Sequence, residues 1–254
     1  MDSKNYTEQN SKIIDRWIDD GWEWGVPISR EEYKKALNGE CKVLLTPTKF
    51  VPGEWFPDLK GKKLLGLASG GGQQMPVFTA LGACCTVLDY SDKQLDSEKY
   101  IAERENYSIT IVKADMTERL PFDNDAFDII FHPVSNNYIE DVYHVWNECF
   151  RVLKSGGVLM SGLDNGMNFL VDEDDNQPLL ITNKLPFNPL KNEEQYKKLI
   201  AEDSGVQFSH SITEQIGGQL KAGFILKDLY EDYNNSGVLK DYSPSFFATL
   251  ALKP

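Results

Sequence analysis

The sequence lacks a long apolar run, a cysteine pair with metal-binding spacing and an excess of basic residues. Its longest apolar stretches are far shorter than the roughly 20 residues that cross a membrane. The N-terminal 30 residues hold acids and tryptophans instead of an apolar signal core. The four cysteines form no CxxC pair, and Cys84 and Cys85 fall in a strand-like run. We therefore expect a cytoplasmic protein with reduced cysteines and no metal site.

The charge balance is strongly acidic, with 26 Lys and Arg against 39 Asp and Glu, a net charge of −13. Such a surface repels phosphate backbones and anionic lipids. We therefore expect neither nucleic acid nor a membrane as a partner, and a small molecule as the substrate. The oligomeric state has no signal in the sequence. The 254 residues suffice for one large α/β domain or two small ones.

One stretch organises the chain. An apolar run over 63–68 breaks into Gly70-Gly71-Gly72 and resumes as a helical pattern from Met75. A strand, a glycine turn and a helix in this order indicate a nucleotide site at the carboxyl end of a parallel strand. The glycines let the backbone approach a ligand, and the helix N-terminus offers free N–H groups. A second apolar run ends in Asp89, at the spacing expected of an acid that holds a ribose diol.

Strand and helix patterns alternate after residue 63. Predicted strands cover 63–68, 83–89, 109–113, 127–131, 158–161, 225–230 and 246–252, and predicted helices cover 73–81, 91–105, 141–153, 193–201 and 211–222. The segment 154–157 is interpreted as a glycine stop of the third helix. Alternation predicts an α/β fold with a doubly wound, Rossmann-like, seven-stranded sheet. The short connection between the last two strands predicts an antiparallel closing strand in an otherwise mostly parallel sheet.

Two segments fall outside this alternation. Residues 1–59 contain two short helical patterns and a proline-rich connection, with too few apolar residues for a core of their own. We interpret them as an N-terminal helical lid or brace over a main domain at 60–254. Residues 163–210 carry an acidic patch at 172–175 and three prolines, and we interpret them as a substrate-side insertion.

Together, these motifs resemble class I S-adenosylmethionine-dependent methyltransferases of the small-molecule type. The resemblance covers 60–254 and rests on the segments 65–72, 87–91, 114–116, 122–135, 151–159 and 219–224. It implies methyl transfer from S-adenosylmethionine, with S-adenosylhomocysteine as product, and the sheet order 3-2-1-4-5-7-6. The family usually has an acid where this chain has Gly66, and a glycine where it has Ala68. Gln73, Gln74 or an N-terminal side chain would then have to hold the cofactor's ammonium group.

The resemblance also implies a set of cofactor contacts. These residues are Ala68, Ser69, Gly70, Gly72, Gln73, Gln74, Asp89, Tyr90, Asp115, Met116 and His132. Asp89 can accept both ribose hydroxyls, a geometry that a nicotinamide dinucleotide also uses. Asp115 is expected at the adenine amino group, although an Asp after a strand also suits a turn. His132 is expected at the methionyl end, and it equally suits a packed, hydrogen-bonded histidine.

Methyl transfer is an in-line displacement from an activated sulfonium, so positioning is the main requirement. A base is needed only if the acceptor keeps its proton at neutral pH. The candidate bases are His132, His210 and Tyr138, and catalysis without a base fits the sequence as well. The expected substrate contacts are Trp24, Asn136, Tyr138 and His210.

Two alternatives remain at the level of sequence. The first is an NAD(P)-dependent oxidoreductase, but Met75 stands where its fingerprint needs a third small residue. The motif at 153–157 also has no place in that class. The second is a non-catalytic module that binds S-adenosylmethionine, for which the departure at Gly66 is the only support.

Overall fold

The computed structural model describes residues 5–171 and 180–254, and the acidic patch at 172–175 lies outside them. The strands are β1 Lys63–Leu67, β2 Cys84–Asp89, β3 Thr110–Lys113, β4 Phe127–His132, β5 Leu153–Asp164, β6 Ile225–Asp232 and β7 Phe246–Leu252. The helices are α1 Tyr6–Asp19, α2 Arg30–Leu37, α3 Met75–Ala80, α4 Asp92–Glu105, α5 Val142–Val152, α6 Glu193–Ala201 and α7 Ile212–Ala222. None of these helices is long and apolar enough to cross a membrane.

The seven described strands form one sheet in the order β3-β2-β1-β4-β5-β7-β6, which confirms the predicted fold. β1 lies parallel to both β2 and β4, so their carboxyl ends meet at one edge. β7 runs antiparallel to both β5 and β6, as the short connection predicted. Leu64, Leu65 and Leu67 of β1 are fully buried because the sheet is covered on both faces.

Two apolar layers cover the sheet. One packs α5 on the sheet through residues such as Trp146 and Cys149. The other combines α3 with the segment 43–59, whose Leu45 and Trp55 are buried against the sheet. The Trp55 indole also donates to Asp228 of β6 at 2.9 Å. The N-terminal region thus contributes core packing, and its role as a lid stays a prediction.

Helix α1 lies across the carboxyl edge of the sheet. Its Ser11 hydroxyl donates to the carbonyl of Tyr90 at 2.8 Å. Asp15 accepts the Ser91 hydroxyl at 2.6 Å and the Lys93 backbone N–H at 3.1 Å. α1 is therefore fixed to the start of α4, directly after the acid that ends β2.

The predicted glycine stop at 154–157 is wrong. Helix α5 ends at Val152, and β5 follows at once. The Gly156 N–H donates to the Lys253 carbonyl at 2.8 Å, and the Lys253 N–H donates to the Gly157 carbonyl at 3.0 Å. Pairing with the end of the chain therefore draws this segment into the sheet, in spite of its turn-forming composition.

Candidate functional site

A cavity of about 540 Å³ opens at the carboxyl edge of the sheet, a volume within the range of small-molecule sites. The residues after β1, β2, β3 and β4 line it on one side, and residues of α1 and of the segment 22–24 also contribute to the lining. The predicted site residues that line it are Trp24, Ala68, Ser69, Gly70, Gln73, Gln74, Asp89, Tyr90, Asp115, Met116 and Tyr138. The structure thus brings together most of the expected cofactor contacts.

The glycine turn has a backbone that side chains would disrupt. A Cβ on Gly70 would lie 2.6 Å from the Cβ of Gln94. Gly71 has φ +93°, and a Cβ there would lie 2.4 Å from the carbonyl oxygen of Trp24. Ala68 has φ +47°, a strained conformation for alanine, and its N–H donates to the Leu88 carbonyl at 2.8 Å. The turn is therefore tightly held between the sheet and the N-terminal segment.

Asp89 stands beside this turn at the end of β2. Its carboxylate accepts the Gly70 N–H at 3.0 Å and the Ser91 N–H at 3.1 Å. Burial raises the pKa of Asp89, while these backbone donors act in the opposite direction. The two contacts orient the carboxylate along the cavity wall and leave it acceptor capacity, as a ribose-binding acid requires.

Asp115 combines the two roles that the sequence left open. Its Oδ1 accepts the backbone N–H of Thr117 at 2.8 Å and the Thr117 hydroxyl at 2.7 Å, so it forms a turn. It also lines the cavity, together with Met116. The acid after β3 is therefore available to a ligand at the far end from β5.

Gly72 lies behind the turn and outside the cavity lining. Its N–H donates to Glu98 at 2.8 Å, and its carbonyl accepts the Ile28 N–H at 3.0 Å. Glu98 is fully buried, and burial raises its pKa to about 8. Sequence reasoning missed Glu98 because an acid on a polar helix normally faces solvent.

The space beside Gly66 is filled. A Cβ on Gly66 would lie 2.6 Å from the Met75 sulfur and 3.2 Å from the Ser69 Cβ. An acid at this position would displace the methionine. Of the proposed substitutes, Gln73 donates to the carbonyls of Glu23 and Val26 at 2.8 and 3.1 Å.

The side chain of Gln74 is likewise held by the protein, because its amide oxygen accepts the Ser69 hydroxyl at 3.1 Å. Both glutamines line the cavity with part of their amide already bonded. Glu23, an exposed acid of the N-terminal segment, is also a lining residue, and its carboxylate accepts the Asn235 amide at 3.5 Å. An N-terminal acid is thus present among the residues that line the cavity.

His132, Asn136 and His210 lie outside the cavity lining. His132 Nδ1 donates to the Leu67 carbonyl at 2.9 Å, and Nε2 lies 2.8 Å from the Asn136 amide oxygen. The Asn136 amide in turn donates to Gln215 at 3.0 Å. Burial lowers the pKa of His132. The histidine therefore belongs to a buried polar chain between the sheet and α7.

His210 is buried, and its Nε2 lies 3.0 Å from the carbonyl oxygens of both Asn136 and Ile139. This nitrogen must carry a proton to donate to them, and burial lowers the pKa of the ring. Tyr138 lines the cavity, but burial raises its pKa to about 12, which leaves it protonated at neutral pH. The geometry therefore gives none of the three candidate bases both access and a suitable pKa.

Asp164, at the end of β5, is a lining residue that sequence reasoning missed. It is 6% exposed, and its carboxylate accepts the Gly166 N–H and, at 3.0 Å, the Asn168 amide. Burial raises its pKa to about 6. The rule that pointed to Asp89 could have found it, since it also ends a buried strand. The predicted strand stopped at 161, so the acid fell into the presumed insertion.

The described part of the chain contains no group of three or more His, Cys, Asp or Glu side chains that could hold a metal ion. All four cysteines are free, and Cys84 is exposed at the start of β2.

Comparison with known proteins agrees with this arrangement. Residues 65–161 match the methyltransferase domain family. The chain is 42% identical over 248 residues to the uncharacterized methyltransferase YbaJ of Bacillus subtilis (strain 168), covering 96% of this chain and 97% of that protein.

Solved structures agree in fold. An S-adenosylmethionine-dependent methyltransferase from Mesorhizobium loti superposes with a TM-score of 0.63 at 18% identity, over 78% of this chain and 94% of the other. One from Methanosarcina mazei gives 0.56 at 12% identity, over 79% and 95%. At these identities the likeness concerns the fold.

Proposed function

Because the chain belongs to the class I S-adenosylmethionine-dependent methyltransferases and uses S-adenosylmethionine as its cofactor, we propose that it methylates a small molecule bound in the cavity at the carboxyl edge of the sheet. The observation that carries the proposal is one continuous cavity that joins the glycine turn to the ends of β4 and β5. The membership also sets aside the oxidoreductase alternative.

The residues present fit the cofactor. A Cβ on Gly70 would lie 2.6 Å from the Cβ of Gln94, so the backbone there has no room for a side chain, and residues 68–70 all line the cavity. Gln94 also lines the cavity, and its amide oxygen, which lies beside Gly71, is buried without a hydrogen-bond partner among the described residues. A buried oxygen without a hydrogen bond lowers the free energy of unfolding unless a ligand or a water molecule donates a hydrogen bond to it. These features are those of a ligand cradle and exceed what packing of a turn requires.

We assign the cofactor contacts from this arrangement. Asp89 accepts the ribose hydroxyls, Asp115 accepts the adenine amino group beside the Met116 N–H, and the backbone at 68–70 lies along the methionyl portion. When bound, S-adenosylmethionine supplies a methyl group that its sulfonium charge already activates. The chain then has to hold the acceptor in line and exclude water, since positioning provides most of the rate enhancement. Trp24 and Tyr138 suit the second task as aromatic walls.

A thermal-shift comparison tests the cofactor site. Purified protein is heated with S-adenosylmethionine, S-adenosylhomocysteine or NAD, each in large excess. A ligand at a hundred times its Kd adds about 2.7 kcal/mol to the free energy of unfolding. We expect both adenosyl compounds to raise the Tm by a few degrees and NAD to leave it unchanged. A shift with NAD alone would contradict the proposal.

The nature of the acceptor is tested separately with methyl-labelled S-adenosylmethionine. The protein is incubated with a cell extract that has been divided into small molecules, protein and nucleic acid. We expect label in the small-molecule fraction, since the acceptor has to fit in a cavity of about 540 Å³ beside the cofactor. Label confined to protein or nucleic acid would overturn the assignment of the acceptor and leave the cofactor intact.

A further inference from the structure

Asp164 stands on the opposite side of the cavity from the predicted adenosine contacts. Those contacts follow β1, β2 and β3, whereas Asp164 ends β5, beyond β4 in the strand order. Three strand spacings of about 4.8 Å separate β2 from β5, or roughly 14 Å between the acids that end them. Asp89 and Asp164 therefore serve different parts of whatever fills the cavity.

The carboxyl ends of β4 and β5 lie next to each other, beside Asp164. In β4 and β5, His132 pairs with Ser161, and a Cβ on Gly162 would lie 3.1 Å from the Val134 nitrogen. The segment after β4 then continues to Asn137, which also lines the cavity. Asp164 and Asn137 thus belong to the portion of the cavity that the cofactor contacts leave for an acceptor.

The polar groups of this portion call for hydrogen-bond donors. The Asp164 carboxylate has two uncharged protein donors, Gly166 N–H and the Asn168 amide, for about four lone-pair positions. The Asn137 amide oxygen is buried and has no hydrogen-bond partner in the part of the chain that the structure describes. A buried carboxylate is normally paired with a cation, and the ion pairs found among the described residues do not include Asp164. A ligand with a positively charged hydrogen-bond donor would pair with these acceptors.

We propose that the acceptor carries an amino group and that Asp164 binds its ammonium, with Asn137 as a second hydrogen-bond acceptor. Asp164 then determines substrate class: it favours amines over matched alcohols, and it repels carboxylates and phosphates. The inference rests on the proposed function, because it assumes that the other portion of the cavity holds the cofactor. It concerns recognition and leaves open which atom of the acceptor receives the methyl group.

The test is a titration of protein saturated with S-adenosylhomocysteine. The probes are 2-phenylethylamine, 2-phenylethanol and phenylacetate, followed by butylamine, butanol and butyrate, with binding measured by calorimetry at pH 7.5. We expect amines to bind at least tenfold more tightly than the matched alcohols and the carboxylates to bind least. The variant Asp164→Asn should lose this preference, and Asp164→Glu should retain part of it. The control Asp241→Asn, exposed and outside the lining, should behave as the wild type.

Several results would overturn the proposal. These are equal binding of amine and alcohol, failure of every amine to bind, or an amine preference that survives in Asp164→Asn. A tenfold loss of S-adenosylhomocysteine affinity in Asp164→Asn would place this acid at the cofactor instead. If the asparagine variant does not fold, the probe series on the wild type and on Asp164→Glu still decides. Wild-type protein that fails to bind S-adenosylhomocysteine would contradict the proposed function itself, and that binding is measured first.

Discussion

The Glu98 carboxyl group accepts the Gly72 backbone N–H at 2.8 Å, from the side of the glycine turn that faces away from the cavity. Glu98 is fully buried on α4, and its second oxygen has no hydrogen-bond partner among the described residues. Burial is the main cause that raises its pKa to about 8, and the nearby charge of Asp89 adds to the effect. We therefore expect the carboxyl group that supports the turn to be protonated at neutral pH.

The first prediction concerns the pH dependence of stability in Glu98→Gln. Between about pH 4.5 and pH 8 the unfolded chain ionises Glu98 while the folded chain keeps it protonated. The wild type therefore loses unfolding free energy as pH rises, by about 1.4 kcal/mol per pH unit from this group, and no further above pH 8. Glutamine does not titrate, so the free energy of unfolding of the variant should rise relative to that of the wild type across this pH range. Denaturant unfolding at several pH values measures the difference.

The control for this prediction is Glu103→Gln, because Glu103 lies exposed on the same helix. Its difference from the wild type, measured over the same pH range, is the baseline for an exposed acid on this helix. A constant difference for Glu98→Gln relative to this baseline would show that Glu98 is ionised in the folded protein.

The second prediction concerns the ribose acid. Replacement of Asp89 by alanine should weaken S-adenosylhomocysteine binding at least tenfold, about 1.4 kcal/mol, because two hydroxyl partners lose their acceptor. Calorimetric titration measures the affinity. Asp92→Ala is the matched control, since Asp92 is an exposed acid three residues further on that pairs with Lys113 at 2.7 Å. Unchanged affinity in Asp89→Ala would mean that the ribose lies elsewhere.

The third prediction separates backbone strain from steric contact in the glycine turn. Gly71 and Gly21 have nearly equal φ, +93° and +92°, so alanine at either position costs about 1–2 kcal/mol in strain. Only at Gly71 would the Cβ meet a neighbour, the Trp24 carbonyl at 2.4 Å. Gly71→Ala should therefore lower the Tm more than Gly21→Ala and also weaken S-adenosylhomocysteine binding. Equal effects of the two variants would argue against a tight contact between the turn and the N-terminal segment.

The sequence predicted β7 at its observed bounds and β1 to β4 to within one residue at either end. For β4, the predicted range 127–131 differs from the observed Phe127–His132 by one residue. The start of β5 could not be predicted, because residues 154–157 carry the composition of a helix stop. Their strand conformation depends on pairing with Lys253, about a hundred residues away. A pattern among neighbouring residues carries no information about that contact.

The site residues also divide into those that a local sequence pattern predicts and those that depend on distant contacts. Asp89 was predictable as an acid directly after an apolar run, and it lines the cavity. His132 also ends a strand, yet alternation along β4 turns its ring toward Trp146, with ring centroids 6.1 Å apart. Which face a terminal side chain takes depends on the register of the whole sheet. The burial of Glu98 depends on how α4 packs behind the turn, and its sequence neighbours do not reveal this.

The last prediction follows from Gly66, where Met75 occupies the space of the family's usual acid. Glu23 is an exposed lining residue of the cavity, and its backbone carbonyl accepts the Gln73 amide at 2.8 Å, so this acid lies near the turn. We expect Glu23 to pair with the cofactor's ammonium group, and Glu23→Gln should weaken S-adenosylhomocysteine binding about threefold to fivefold, as for an exposed ion pair. Binding of 5′-methylthioadenosine, which lacks that ammonium, should not change. The control is Glu54→Gln, an exposed acid in a similar short helix outside the lining. Equal losses of affinity for both ligands would mean that Glu23 supports the cavity without contacting the ammonium group. No loss of affinity for either ligand would mean that the backbone and amides of the turn bind the ammonium group instead.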